Sequence, residues 1–472
     1  MIHFKQNFQN KNIKFFRLLI VTVLGFLAWM TFSPLPGLSE KGLHMIILFI
    51  VSMAGIMLEI TRPVAFLLLT MLIATLTKTI GIKQCFSGFC SIVPWLLFLV
   101  LSLARVITKT TLGIRLAYIF MKYFGKGILG LSYSIILTEF FIAPVLPSNT
   151  ARGASVGLPL VTSISSYIAS HKKGISEKRI GSYLAILYAY SNSICSALFI
   201  TAMISNALIL EGMASIDLSI SWIFWFKFMI LPCSILLFIL PFVVKLILNP
   251  KITDLGDIRS QAMKNYNELG PLSEQEKFIL IVFGIMLIMW ILADVIGVPV
   301  MVTTLLGVCL FMFTGILDIK EMMSCYSTFN AVLLLGILIS YVNCLSDLGA
   351  INWFTSVISN SISGFSTNIS FLLLAIIYFF AHYFFTGEGA RITALYVPFL
   401  ATGLALGIDK IIVAMTLAAF SSMSDVIANY TCPVALTMFS SGYVTAKKWF
   451  MCGFIFAILS ITIWFLYIFF IV

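Results

Sequence analysis

Charge is the scarcest ingredient of this sequence: Asp, Glu, Lys and Arg together make up 10% of its 472 residues. That is well below the share a water-soluble chain of this length carries, and it excludes an ordinary soluble domain. Histidine is rarer still, with four in all and only His382 deep in an apolar segment. No HExxH pattern, no paired aspartates within the spans and no serine with a usable histidine is present, which leaves an intramembrane hydrolase as a remote alternative. The nine cysteines never fall at CxxC or Cys/His ligand spacings. They read as small buried hydrophobes, without a disulfide framework or a metal site. Alternating strands of about ten residues, the mark of a transmembrane barrel, are missing too.

What is present in excess is apolar surface. Hydrophobic residues make up 61% of the chain and the mean hydropathy is +1.08. Apolar runs of about 20 residues recur from end to end, each long enough to cross a bilayer as a helix. The expected fold class is therefore an all-α polytopic membrane protein, with about 11 transmembrane helices embedded in the lipid bilayer. The basic head at Lys5, Lys11, Lys14 and Arg17 is followed by an apolar run over 18–32 without a small-residue cleavage site, which predicts a retained first span.

Some runs are not simple crossings. The pairs 127–146 with 151–169 and 369–386 with 390–407 are each joined by a short, densely polar turn. Such pairs predict two re-entrant hairpins. Segments 180–212 and 410–442 are too long for one straight span. Polar interruptions at Ser191-Asn192-Ser193 and at Asn429-Tyr430-Thr431-Cys432-Pro433 predict that both are broken helices. With a cytoplasmic N-terminus, most of the 29 basic residues, among them Arg115, Lys172, Lys173, Lys251 and Arg259, fall on the N-terminal side. The formal charge of +11 is then topological, and no nucleic-acid partner is implied. This places the chain in the inner (plasma) membrane with its C-terminus outside.

A polar stretch divides the chain. The boundaries read as 1–36 for an N-terminal tail and first span, 37–248 for a first repeat, 249–276 for a cytoplasmic linker containing Asp254, and 277–472 for a second repeat. Setting Pro159 against Pro398 superposes Ala151-Arg152 on Ala390-Arg391 and Phe140-Phe141 on Phe379-Phe380. The same order of spans, hairpin and broken helix in both halves, with the linker cytoplasmic, makes an inverted-topology repeat.

Repeats of this kind put a ligand near the bilayer midplane, where interrupted helices offer unpaired backbone groups. Each hairpin tip starts a new helix, at Ala151 and at Ala390, so each presents a partly positive end together with Arg152 or Arg391. Two such ends suit a ligand with two or more carboxylates. A structural ion pair is the competing reading for each arginine, and Arg391 has a ready partner in Glu388 three residues earlier. Glu388 is a candidate proton-linked or exchange-coupling group, or else a counter-charge to Arg391. Asp425, just before the second break, suits an ion ligand or a structural partner. Glu139 suits a cap or pair within the bundle, and His382 a hydrogen-bonded packing residue.

The run Pro-Ser-Asn-Thr-Ala-Arg-Gly over 147–153 resembles the first Ser-Asn-Thr motif of the divalent anion/sodium symporter family. The branch it resembles holds bacterial citrate/succinate and tartrate/succinate antiporters and plastid 2-oxoglutarate/malate translocators. Segments 196–203 and 441–449 look like the ends of that branch's broken helices. The resemblance implies a dimerising scaffold domain, a transport domain of hairpins and broken helices with both repeats contributing to each, and elevator-type alternating access. It implies that Ser148, Asn149 and Thr150 bind a substrate carboxylate and, in sodium-coupled members, that Ser148 and Asn149 hold a sodium ion; no other cofactor is implied. By analogy, Asn192 and Ser193 with Thr431 and Pro433 complete the two half-sites, and Thr386, Gly387, Gly389 and Arg391 supply the second tip. There the sequence departs from the family, with Thr-Gly-Glu-Gly-Ala-Arg over 386–391 in place of small hydroxyl residues. The expected function is exchange of di- or tricarboxylates of the malate, 2-oxoglutarate, succinate and citrate type by a homodimer. Sodium- or proton-coupled carboxylate symport is the alternative.

Overall fold

A computed structural model describes residues 2–33, 35–58, 60–171, 176–250, 257–362 and 364–472. Lys172, Lys173, Lys251 and Asp254, used above for topology and the linker, lie outside the described residues. Every regular element among those described is helical. The helices Trp222–Leu248, Thr328–Asp347, Thr367–Phe384 and Ala446–Phe470 are each long and apolar enough to cross a membrane alone. The helices Ile92–Thr108 and Leu112–Phe124 qualify only as a pair, bent by 60° at the break between them. Others, such as Pro63–Leu76, Gly127–Ile142 and Val300–Phe313, are apolar but shorter. The chain is thus an all-helical integral membrane protein.

Two compact units divide the chain, and each draws on both sequence halves. The first comprises Met1–Phe98, Cys325–Phe371 and Gly389–Ile408. Its core joins Leu48, Leu67, Met71, Leu338 and Tyr341, with Ala390 and Ala394 packed against it. Three buried hydroxyls close into a triangle there: Ser52 Oγ lies 2.7 Å from Thr70 Oγ1 and 2.9 Å from Tyr341 Oη, and Tyr341 lies 2.5 Å from Thr70. In an apolar interior each hydroxyl needs such a partner, so the triangle fixes the packing of three helices. Gly88 lets a turn press onto the helix Tyr326–Asp347, since a Cβ there would stand 2.1 Å from the Gly336 carbonyl oxygen.

The second unit comprises Leu99–Ser324, Leu372–Glu388 and Asp409–Val472. It is built around the helix Glu177–Leu198, which is buried on all faces from Ile180 onward. Few helices are enclosed in this way, and this one is polar for its depth. Its small and hydroxylic residues let neighbours approach closely and bond across helices. Tyr183 pairs with Ser132 at 2.7 Å, Tyr188 donates to Glu139 at 2.8 Å, and Ser193 donates to the Ser422 carbonyl at 2.7 Å.

These cross-links correct one expectation. The helix does not break at Ser191-Asn192-Ser193; it runs through them to Leu198, and the interruption falls at 199–205 before Asn206–Ala214 begins. Asn192 and Ser193 bond sideways, Ser191 donates back to the Tyr188 carbonyl of its own helix, and the helical ladder stays intact. The second interruption lies where the sequence places it, after Lys410–Met423 and before Pro433–Ser440. Within 249–276 the described residues include a helix, Ile258–Glu268, capped by Asp257 and packed on Leu112–Phe124. Arg115 holds the end of this segment: it donates to the carbonyls of Leu269 and Gly270 at 2.8 and 2.6 Å and lies 3.7 Å from Glu276.

Candidate functional site

At the first tip the chain leaves Gly127–Ile142, turns over 143–148 and starts a new helix at Asn149, two residues before the expected Ala151. The reason is local. Ser148 is extended, and its hydroxyl accepts the Ala151 N–H at 3.2 Å, which makes it the N-cap. The Asn149 Oδ1 accepts the Thr150 N–H at 2.8 Å. That contact fixes the amide orientation, because only oxygen can accept there, and Nδ2 must point the other way. A five-residue π turn, Gly153–Gly157, follows before the helix Leu158–His171. Gly157 lies against Tyr188, where a Cβ would stand 2.2 Å from the ring.

Arg152 faces the protein interior with no exposed surface. Its Nε donates to Glu139 Oε1 at 2.5 Å, its Nη1 to the carbonyls of Leu146 and Ala202 at 2.7 and 2.6 Å, and its Nη2 to Ser196 Oγ at 2.9 Å. Glu139 also accepts from Asn192 Nδ2 and Tyr188 Oη, both at 2.8 Å. A charged pair at this depth is tolerated only when such further hydrogen bonds satisfy it. The pair ties the first tip to the first break. Asn192, within 3.4 Å of the Asn149 carbonyl, joins the same network, whereas Ser193 faces the helix Lys410–Met423.

Asn206 supports the start of the first break: its Nδ2 lies 3.2 Å from the carbonyl oxygens of Ser196, Phe199 and Ile200. Beyond the break, Ser205 and Asn149 converge on one carboxylate. Ser205 Oγ donates to Glu388 Oε1 at 2.9 Å and Asn149 Nδ2 donates to Oε2 at 3.1 Å. Both donors are buried, at 4% and 3% exposure, while Thr150 and Glu388 are half-buried. Glu388 is itself the first residue of the helix Glu388–Ala405, again two positions before the expected Ala390. Thr386 is exposed, Gly387 and Gly389 are half-buried, and Arg391 is fully buried one turn into that helix.

The second break has its own closure. Thr431 Oγ1 lies 2.6 Å from the Asp425 carbonyl and 2.8 Å from that of Ala428. His382 Nε2 faces the Thr431 carbonyl at 3.1 Å, so this nitrogen carries the proton, and Nδ1 lies 3.1 Å from Ser424 Oγ and 3.6 Å from Asp425 Oδ1. Trp449 Nε1 donates to the Val426 carbonyl at 2.9 Å. Asp425 is buried; Pro433 opens the next helix with an exposed ring. Among the described residues no cluster of three His, Cys, Asp or Glu side chains suits a metal ion.

Sequence reasoning did not anticipate Ser205, Asn206 or Tyr188. No local pattern marks them, and their role shows only in the carbonyls and carboxylate they reach.

The family described as the sodium:sulfate symporter transmembrane region matches residues 12–471. A Bacillus subtilis protein named "Putative malate transporter YflS" is 31% identical over 96% of this chain and 95% of its own. Dicarboxylate transporter 1, chloroplastic, of Arabidopsis thaliana is also 31% identical, covering 95% of this chain and 81% of its own. The citrate/succinate antiporter of Escherichia coli K12 is 27% identical over 81% and 79%. Among solved structures, Neisseria gonorrhoeae MtrF, described with a class of antimetabolite efflux pumps, matches with a TM-score of 0.55 at 14% identity over 83% of each chain, a likeness of fold alone.

Proposed function

The chain belongs to the sodium:sulfate symporter transmembrane family, and from that premise we propose that it carries di- or tricarboxylates across the membrane by exchange. The relatives named for malate, dicarboxylates and citrate/succinate support the substrate class. The observation that carries the reading is at the first tip: the donors of Asn149 and Ser205 already hold a carboxylate, that of Glu388. Neutral, buried, pre-oriented donors suit an anion that must bind and leave, because they bind it without trapping it.

In this reading Ser148 and Asn149 shape the site and Thr150 borders it, with Thr386 and Gly387 at the second tip beside Glu388. Arg152, Asn192, Ser193, Thr431 and Pro433 hold the tips and breaks in place. The protein carries out no catalysis. It crosses the membrane about 11 times, with two re-entrant hairpins related by an inverted repeat. Its N-terminus is cytoplasmic and its C-terminus outside the plasma membrane, and it works as a homodimer by an elevator motion. The presence of two compact units, each with its own core and each drawing on both repeats, supports that motion.

Sodium coupling is the second reading, favoured by the sodium in the family's description and by the Ser148 hydroxyl oxygen, next to Asn149, which keeps a lone pair beside its backbone contact. Proton coupling would fall to Glu388 or Asp425. Counterflow separates these. In proteoliposomes loaded with unlabelled malate or succinate, labelled dicarboxylate should enter with or without sodium. Uptake driven by a sodium gradient into vesicles without internal dicarboxylate would overturn exchange.

A further inference from the structure

Glu388 does something that a residue merely bordering an anion site would not do. An anionic side chain beside donors meant for an anionic ligand should repel that ligand. Here it occupies the donors. Both oxygens of its carboxylate are engaged, Oε1 by the Ser205 hydroxyl and Oε2 by the Asn149 amide. The amide has no freedom to turn away, because its oxygen is committed to the Thr150 N–H. Ser205 and Asn149 come from the end of the first break and from the start of the first tip helix, far apart in sequence, and they meet on this one group. Two donors from separate segments, closing on the two oxygens of a single carboxylate, make a carboxylate-binding site.

We propose that Glu388 is a tethered surrogate for the substrate, a carboxylate of the protein's own that fills the donors of the first tip and that a substrate carboxylate must displace. The inference rests on the carboxylate-transport reading and deepens it. Its chemistry is competition at one site. The free protein keeps Asn149 and Ser205 hydrogen-bonded, which they require when buried. The incoming dicarboxylate exchanges one carboxylate for another at the same donors, so most of the hydrogen bonding it gains is offset by what Glu388 loses. A ligand with a single carboxylate has no second contact to compensate, so the surrogate also discriminates against monocarboxylates.

The test is dicarboxylate counterflow by the full-length protein in proteoliposomes, comparing wild type with Glu388→Ala and Glu388→Gln, and with acetate or propionate added as competitor. Wild-type exchange of malate or succinate establishes the transport reading by itself. Absence of that exchange would overturn the reading and the proposal with it. With exchange present, the proposal predicts that KM for the dicarboxylate falls about tenfold or more in Glu388→Ala, because two charge-assisted hydrogen bonds no longer have to be displaced. A smaller fall is expected in Glu388→Gln, which keeps the shape and so serves if the alanine variant is not recovered folded. Acetate, nearly inert toward wild type, should become a competitive inhibitor of both variants. An unchanged or raised KM without acetate inhibition would show Glu388 to be a structural or coupling residue and overturn the surrogate.

Discussion

The two interrupted helices of the second unit solve one problem with different chemistry. A break inside a membrane protein exposes carbonyls that water cannot reach, and each must find a donor. At 199–205 the side-chain donors are a guanidinium and an amide, Arg152 on the Ala202 oxygen and Asn206 on those of Phe199 and Ile200. At 424–432 they are a hydroxyl, an imidazole and an indole: Thr431, His382 and Trp449. The first closure carries a permanent charge, and that charge is balanced internally by Glu139 at 2.5 Å. The second carries none that is permanent. The difference assigns roles that residue type alone does not. Arg152 is part of the framework, and in the proposed reading the groups left to face an anion at the first tip are the neutral ones.

Removing one donor at a time sharpens this contrast. Arg152→Ala should have the largest effect, because it leaves Glu139 charged and buried without its partner, a loss of about 3–5 kcal/mol. Unfolding in lipid nanodiscs followed by tryptophan fluorescence would show it as a large fall in Tm, and transport should disappear with it. Asn206→Ala removes the amide that the Ser196, Phe199 and Ile200 carbonyls share and should cost about 1–3 kcal/mol by the same measurement. Gly157→Ala pushes a methyl group into the Tyr188 ring and should cost about 1–2 kcal/mol through overpacking, loosening the Tyr188 bond to Glu139. Thr431→Val should be the mildest, about 1 kcal/mol, since its two carbonyls share a single hydroxyl proton. If Thr431→Val proved as damaging as Arg152→Ala, the two closures would be equivalent and the contrast would fail.

Much of this molecule is legible in the sequence, and the limits have physical causes. The all-helical membrane class follows from hydropathy, and the family from the seven residues 147–153, as the match over 12–471 bears out. The second break is legible because Pro433 cannot continue a helix and Asn429 precedes it in a polar run. The first break is not. Ser191, Asn192 and Ser193 look like an interruption, yet Ser191 donates to the Tyr188 carbonyl of its own helix and Asn192 and Ser193 bond to neighbouring elements, while the backbone stays helical. The true break, at Phe199 to Ser205, begins with apolar residues, and only its carbonyl partners reveal it. Arg152 illustrates a second limit. An intramembrane arginine in a ligand motif reads as a ligand group, but the acceptors that claim it, Glu139, Ser196 and Ala202, lie up to 50 residues away.

The most direct test of the central claim is dicarboxylate counterflow by Asn149→Ala in a Glu388→Ala background, where no carboxylate of the protein competes for the amide. This change removes the amide aimed at the carboxylate and leaves the Arg152 closure intact. There the initial rate at subsaturating dicarboxylate should fall about tenfold or more below that of Glu388→Ala alone, with Tm close to that of the single variant. Unchanged KM and rate in the folded double variant would contradict that claim and move the carboxylate site away from the first tip.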